Sequence, residues 1–117
     1  MKNLLFVSHR DKIVGGGEFS LAEITKNLPP NKFKVFLITS GGEDLVKLYK
    51  GDNITLSELP LPSIKPENLL QIIESLMKLF HFIKKNRIDL IHANTSRAML
   101  YCGVAGNLLK IPVLWHV

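Results

Sequence analysis

Gly15-Gly16-Gly17-Glu18 lies between a short apolar run, Leu4-Leu5-Phe6-Val7, and a stretch of helical periodicity that begins at Glu18. Consecutive glycines let a backbone turn sharply and approach a ligand without Cβ clashes. A helix starting just after them points its free N–H groups, and the positive end of its dipole, into the turn. Phosphates bind well in such a place. The run is neither G-x-G-x-x-G nor G-x-x-x-x-G-K-[ST], so neither the dinucleotide nor the P-loop fingerprint is present. Two readings fit: a cradle for a nucleotide or sugar phosphate, or a tight strand-to-helix turn that binds nothing.

Further polar residues gather where other apolar runs end. These are Ser8-His9-Arg10, Ser40-Gly41-Gly42, His92 to Arg97, and Trp115-His116. His92 reads as a site residue or as a hydrogen-bonded core histidine. Asn94-Thr95-Ser96 reads as part of a site or as the cap of the next helix. His116 has the same two readings. Ser8, His9 and Asp11 are too close in sequence to fold back into a hydrolytic triad, and no G-x-S-x-G elbow occurs. Neither His-x₃-His spacing nor clustered carboxylates point to a metal, so none is expected.

The elements that must position these residues alternate. Leu4–Val7, Phe33–Thr39, Ile54–Leu59, Ile88–Ala93 and Ile111–Val117 read as strands. Helices are expected from Glu18 to Leu28, where Pro29-Pro30 stops the pattern, from Glu43 to Lys50, from Pro66 to Lys85, and from Ser96 to Leu109. Within the third of these, Leu69, Ile72, Ile73, Leu76, Met77, Phe80 and Ile83 form one apolar face. The fourth is rich in small residues, suited to close packing on a sheet. Such alternation implies an α/β fold, an open parallel Rossmann-like sheet with right-handed crossovers and helices on both faces. Ligands of such sheets bind outside the carboxyl ends of the strands, where the polar clusters fall.

The 117 residues suit one domain, and 46% hydrophobic with 21% charged content is ordinary globular composition. A net charge of +5 suits phosphate-bearing small molecules or an anionic membrane surface. The lysines are scattered and no nucleic-acid-binding pattern appears, so nucleic acid is not an expected partner. Cys102 is the only cysteine, which excludes an intrachain disulfide and suits a cytoplasmic setting. Lys84, Lys85 and Arg87 end the third helix, either as a membrane-facing basic patch or as cations on a helix C-terminus.

Three segments together resemble the N-terminal half of the GT-B-fold glycosyltransferases of family 4, the retaining group 1 enzymes. They are the opening strand with Gly15-Gly16-Gly17-Glu18-Phe19-Ser20-Leu21-Ala22, then Ile88-Asp89-Leu90-Ile91-His92-Ala93-Asn94-Thr95, then Leu109 to Val117. The resemblance implies that residues 1–117 form the acceptor-side Rossmann-like domain of a sugar transferase, truncated at its C-terminal end. A donor-binding domain with an E-x₇-E element is implied beyond Val117, and the chain alone is expected to be inactive. Gly15, Gly16, Gly17 and Glu18 are implied against the donor phosphates. His92 and Asn94 are implied near the reacting sugar, and His9, Arg10, Ser96, Arg97 and His116 along the acceptor side of the cleft. Many members carry a second histidine at the position of Asn94, and an amide there orients a hydroxyl but cannot act as a general base. No cofactor is implied; the donor substrate is a nucleoside-diphosphate sugar. The acceptor is a sugar or glycolipid, and a peripheral contact with the inner face of the membrane is compatible with the basic helix end.

Overall fold

The computed structural model describes residues 2–8, 27, 32–39 and 54–115. Strands β1 (Lys2–Val7), β2 (Phe33–Thr39), β3 (Ile54–Glu58), β4 (Leu90–Ala93) and β5 (Val113–Trp115) alternate with helices α1 (Leu69–Lys85) and α2 (Ser96–Leu109), which follow β3 and β4. All strand pairs are parallel, in the order β3-β2-β1-β4-β5. This is the expected α/β, Rossmann-like sheet. Of the expected helix over 18–28 only Asn27 is described, and it is helical; the one over 43–50 lies outside the described residues.

The steps from β3 to β4 and from β4 to β5 cross the sheet in the same direction, so right-handed crossovers place α1 and α2 on one face. Leu5, Val7, Phe36, Ile38, Ile91 and Ala93 point from the sheet into this layer, where they meet Leu79 and Ile83 of α1 and Ala98, Tyr101, Cys102 and Ala105 of α2. Phe36 packs edge-to-face on Phe82, with ring centroids 5.9 Å apart. Val35, Phe6 and Leu37 alternate to the other face and are also buried. Burial on both faces explains why β1 and β2 read as continuous apolar runs.

Strand ends differ from the sequence pattern for identifiable reasons. Ile88 is buried but belongs to the exit of α1: its N–H donates to Ile83 O, after Arg87 has turned the chain at φ 50°. β4 therefore starts at Leu90. Ile111 N–H is held by Gly106 O, and Pro112 has no N–H, so β5 begins only at Val113. β1 begins two residues before its apolar run, because Lys2 and Asn3 pair in register with Phe33 and Lys34 through backbone alone.

The apolar face expected on α1 is split. Leu79 and Ile83, with Ser75, face the sheet, while Leu69, Ile73 and Met77 are exposed. At 100° per residue the apolar arc is broader than the stripe one sheet can cover, and its flank is left outside.

Both helices run antiparallel to the strands, so their C-termini lie at the amino edge of the sheet. Asn3 Nδ2 ties β1 to the end of α1 there, donating to Asn86 O and Arg87 O. Exposed Lys2, Lys32, Lys34, Lys84, Lys85, Arg87 and Lys110 give this edge a strongly positive charge. Among the described residues Asp89 is its one carboxylate, and that accepts from Asn3 N–H at 2.8 Å.

The close fit of α2 on β5 depends on Gly106. A Cβ there would lie 2.4 Å from Val113 Cγ2 and 3.0 Å from Ile111 O, whereas one at Gly103 meets nothing nearer than Met99 Cε at 3.9 Å. Gly106→Ala should lower the urea midpoint, since overpacking of about 1–3 kcal/mol opposes a helical gain of about 1 kcal/mol. Gly103→Ala should raise it. The same direction of change for both would remove this account.

Candidate functional site

The order of strands reverses at the β1/β4 boundary, and the carboxyl edge there is where open α/β sheets form their crevice. The ladder carries the chain into it. Asn94 N–H donates to Val7 O at 2.9 Å and Ser8 N–H to Ile38 O at 2.9 Å, so the loops leaving β1 and β4 start side by side. Ser8, at 2% exposure, and Thr39, at 3%, complete the floor of this edge.

His92 lies in β4, half-buried, on the face opposite α1 and α2, with its ring edge-to-face on Phe6 at 5.1 Å. The strand alternation places Asn94 on the same side, one step nearer the crevice. Thr95 is the residue of the Asn94-Thr95-Ser96 run that caps α2, its Oγ1 accepting Ala98 N–H at 3.2 Å. Ser96 opens the helix, exposed, and Arg97 is half-buried beside it. The structure thus brings His92, Asn94, Ser96 and Arg97 to one edge. His9, Arg10, Gly15, Gly16, Gly17, Glu18 and His116 lie outside the described residues.

One feature of this edge was not read from the sequence. The β3–α1 connection, Leu59 to Lys65, is held down by side chains of both helices. Ser75 Oγ donates to Pro60 O at 2.9 Å, Arg97 Nη1 to Leu61 O at 3.3 Å, and Tyr101 Oη to Pro62 O. Arg97 therefore spends part of its guanidinium on the loop. The available signal was the Pro60-Leu61-Pro62 spelling itself: prolines bring carbonyl acceptors without N–H donors, so donors must come from elsewhere.

A family model described as Glycosyltransferase Family 4 matches residues 14–117. The chain belongs to glycosyltransferase family 4. The match takes in the triple-glycine loop and the β4 and β5 segments together. Among solved structures, the fold is similar to HepE of Anabaena, determined in complex with UDP and glucose (TM-score 0.76, 20% identity, 100% of this chain and 30% of that one). It is similar to a glycosyltransferase from Rickettsia africae (TM-score 0.77, 25% identity, 97% and 29%) and to MurG of Acinetobacter baumannii (TM-score 0.75, 19% identity, 99% and 35%). This family 4 chain spans about a third or less of the length of these three proteins. No curated protein matches its sequence.

Behind the crevice, α2 buries two titratable groups. Burial pushes the Cys102 thiol up to about 12 from its ordinary 9.0. Burial also raises Tyr101, partly opposed by the nearby Arg97 charge. Between these pH values the unfolded chain releases the Cys102 proton while the folded chain keeps it. Stability should therefore fall as pH rises from about 9 toward about 12, with a slope from this thiol of at most about 1.4 kcal/mol per pH unit. Urea titrations across that range should show a shallower decline for Cys102→Ala; an unchanged slope would exclude the thiol as the cause. A second expectation concerns the loop clamp. Tyr101→Phe leaves Pro62 O without its donor and should cost about 1–3 kcal/mol. Stability within about 0.3 kcal/mol of the parent, against a typical net hydrogen bond of about 1 kcal/mol, would show that the clamp carries no load.

Proposed function

We propose that this chain is the acceptor-side domain of a retaining, hexosyl-transferring member of the family, with its donor-binding domain lying beyond residue 117. The observation that supports the reading is the adjacency of the β1 and β4 loops through the Asn94-to-Val7 hydrogen bond. It puts the start of the loop bearing Gly15, Gly16 and Gly17 beside His92 and Asn94. In this reading the glycine N–H groups stabilise negative charge as the nucleoside diphosphate departs, the step at which charge develops most. Asn94 orients a hydroxyl or ring oxygen, His92 supports that edge, and neither serves as general base. His9, Arg10, Ser96, Arg97 and His116 contact the acceptor or line the cleft, and Glu18 belongs to the donor loop.

The donor is a nucleoside-diphosphate sugar; HepE was determined with UDP-glucose, which supports that class. The acceptor is a hydroxyl of a sugar or glycolipid in polysaccharide or glycolipid synthesis, and the reaction takes place in the cytoplasm. No metal or cofactor is assigned a role.

With half of the cleft, the 117-residue chain should turn over no nucleotide sugar and bind free UDP weakly or not at all. Product analysis by mass spectrometry and calorimetric titration check both. Sugar transfer by this chain alone would overturn the two-domain reading. Tight UDP binding abolished by Gly16→Val would make it a self-standing nucleotide-binding module instead.

A further inference from the structure

The outer side of α1 carries a second apolar row that the sheet does not cover. Leu70, Ile73, Met77 and Phe80 follow one another at steps of three and four residues, and Lys84 takes the next place. Leu70 is 80% and Met77 68% exposed. Steps of three and four make a narrow seam, the pattern by which one helix packs along another. Beside the seam a hollow of about 730 Å³ opens between α1 and α2, its lining including Leu76, Phe80, Val104 and Leu108. The charges of α1 are sorted by end. Glu67 and Glu74 lie toward its start and Lys84, Lys85 and Arg87 at its finish, all exposed. Between them Lys78 pairs with Glu74 at 2.9 Å.

We propose that this seam binds a second copy of the chain, which lays its own α1 antiparallel along it so that the two Met77 side chains meet at a two-fold axis. The occupant follows from charge. In the antiparallel pair Glu67 and Glu74 of each copy approach the Lys84, Lys85 and Arg87 end of the other, and one two-fold generates both contacts. Parallel pairing would set like charges side by side. A uniformly anionic partner would suit the lysines but would also meet Glu67 and Glu74, two of the four carboxylates among the described residues. The same arrangement keeps the cation-rich amino edges apart. The 17 residues of α1 span roughly 25 Å, so the two edges fall at opposite ends of the dimer, beyond a screening length of about 10 Å at 0.1 M salt. Val104 and Leu108, both exposed, widen the contact beyond a single helix pair. The proposal does not depend on the glycosyltransferase reading, because the seam shares no residue with the crevice.

Sedimentation equilibrium of the 117-residue chain tests it and should show a reversible dimer. Met77→Asp should abolish the dimer while leaving the circular dichroism spectrum unchanged, since the side chain is exposed. Glu67→Lys with Glu74→Lys, and separately Lys84→Glu with Lys85→Glu, should each raise the dissociation constant about tenfold or more, because like charges then face each other. Mixed in equal amounts, these two charge variants should pair again as a heterodimer, attractive at both ends. Met77→Cys should cross-link to its counterpart under mild oxidation, and the native Cys102 is buried and does not compete. Leu70→Cys should not cross-link, because helices centred on Met77 hold the two copies of that position about 20 Å apart, well past the reach of a disulfide. A parent chain that stays monomeric overturns the proposal and leaves the seam to a different partner protein. A dimer indifferent to Met77→Asp, charge variants that fail to recover on mixing, or cross-linking through Leu70→Cys in place of Met77→Cys would overturn it as well.

Discussion

The ladder that β1 shares with β2 on one side and β4 on the other is the constraint on which every other placement rests. Its register sets Leu5 opposite both Phe36 and Ile91, and Val7 opposite both Ile38 and Ala93. One layer of side chains is thereby aimed at the two helices. The same register ends the three strands nearly level, so that Ser8, Thr39 and Asn94 emerge at one edge. A slip by one residue would send Leu5 and Val7 to the far face and Phe6 toward α1, undoing the core and the crevice together. Site geometry and stability are here two consequences of one pairing.

The second determinant is how tightly α2 sits. Gly106 brings its backbone against β5, and Thr95 starts the helix immediately beyond β4, leaving no slack between strand and helix. That short junction fixes Ser96 and Arg97 at the crevice edge. Arg97 and Tyr101, one turn apart, then reach across to the β3–α1 loop and hold its carbonyls. Loop, helix start and strand end consequently behave as one support, although they come from distant parts of the sequence.

Much of this was legible from residue pattern. The apolar run of β1 reads as a doubly buried strand and that of β2 as a second strand, and the expected bounds of β2 and α2 match the structure to the residue. The gathering of His92, Asn94, Ser96 and Arg97 at one edge followed from parallel topology alone. What escaped was whatever depended on which partner a group finds in three dimensions, near or far in sequence. Ile88 is apolar enough for a strand but is captured by Ile83 O, and Ile111 by Gly106 O. Pattern counts apolar residues on α1 without knowing how wide a stripe the sheet covers, so Leu69, Ile73 and Met77 were assigned to one face with Ile83. The donors to Pro60, Leu61 and Pro62 lie in two different helices, and no local signal names them.

The cations at the end of α1 admit a local explanation, and its size decides how far it reaches. Lys84 and Lys85 in the last turn complement the helix dipole for about 0.3–1 kcal/mol each, and that suffices to account for their presence. It accounts for nothing beside them. Burying a leucine or methionine is worth about 1.5–3 kcal/mol, and Met77 and Leu108 leave most of that unrealised in the free chain. Helix propensity does not require them either, because lysine or glutamate would serve as well at exposed positions. Dipole complementarity and apolar exposure thus have separate origins in folding, yet they share one groove.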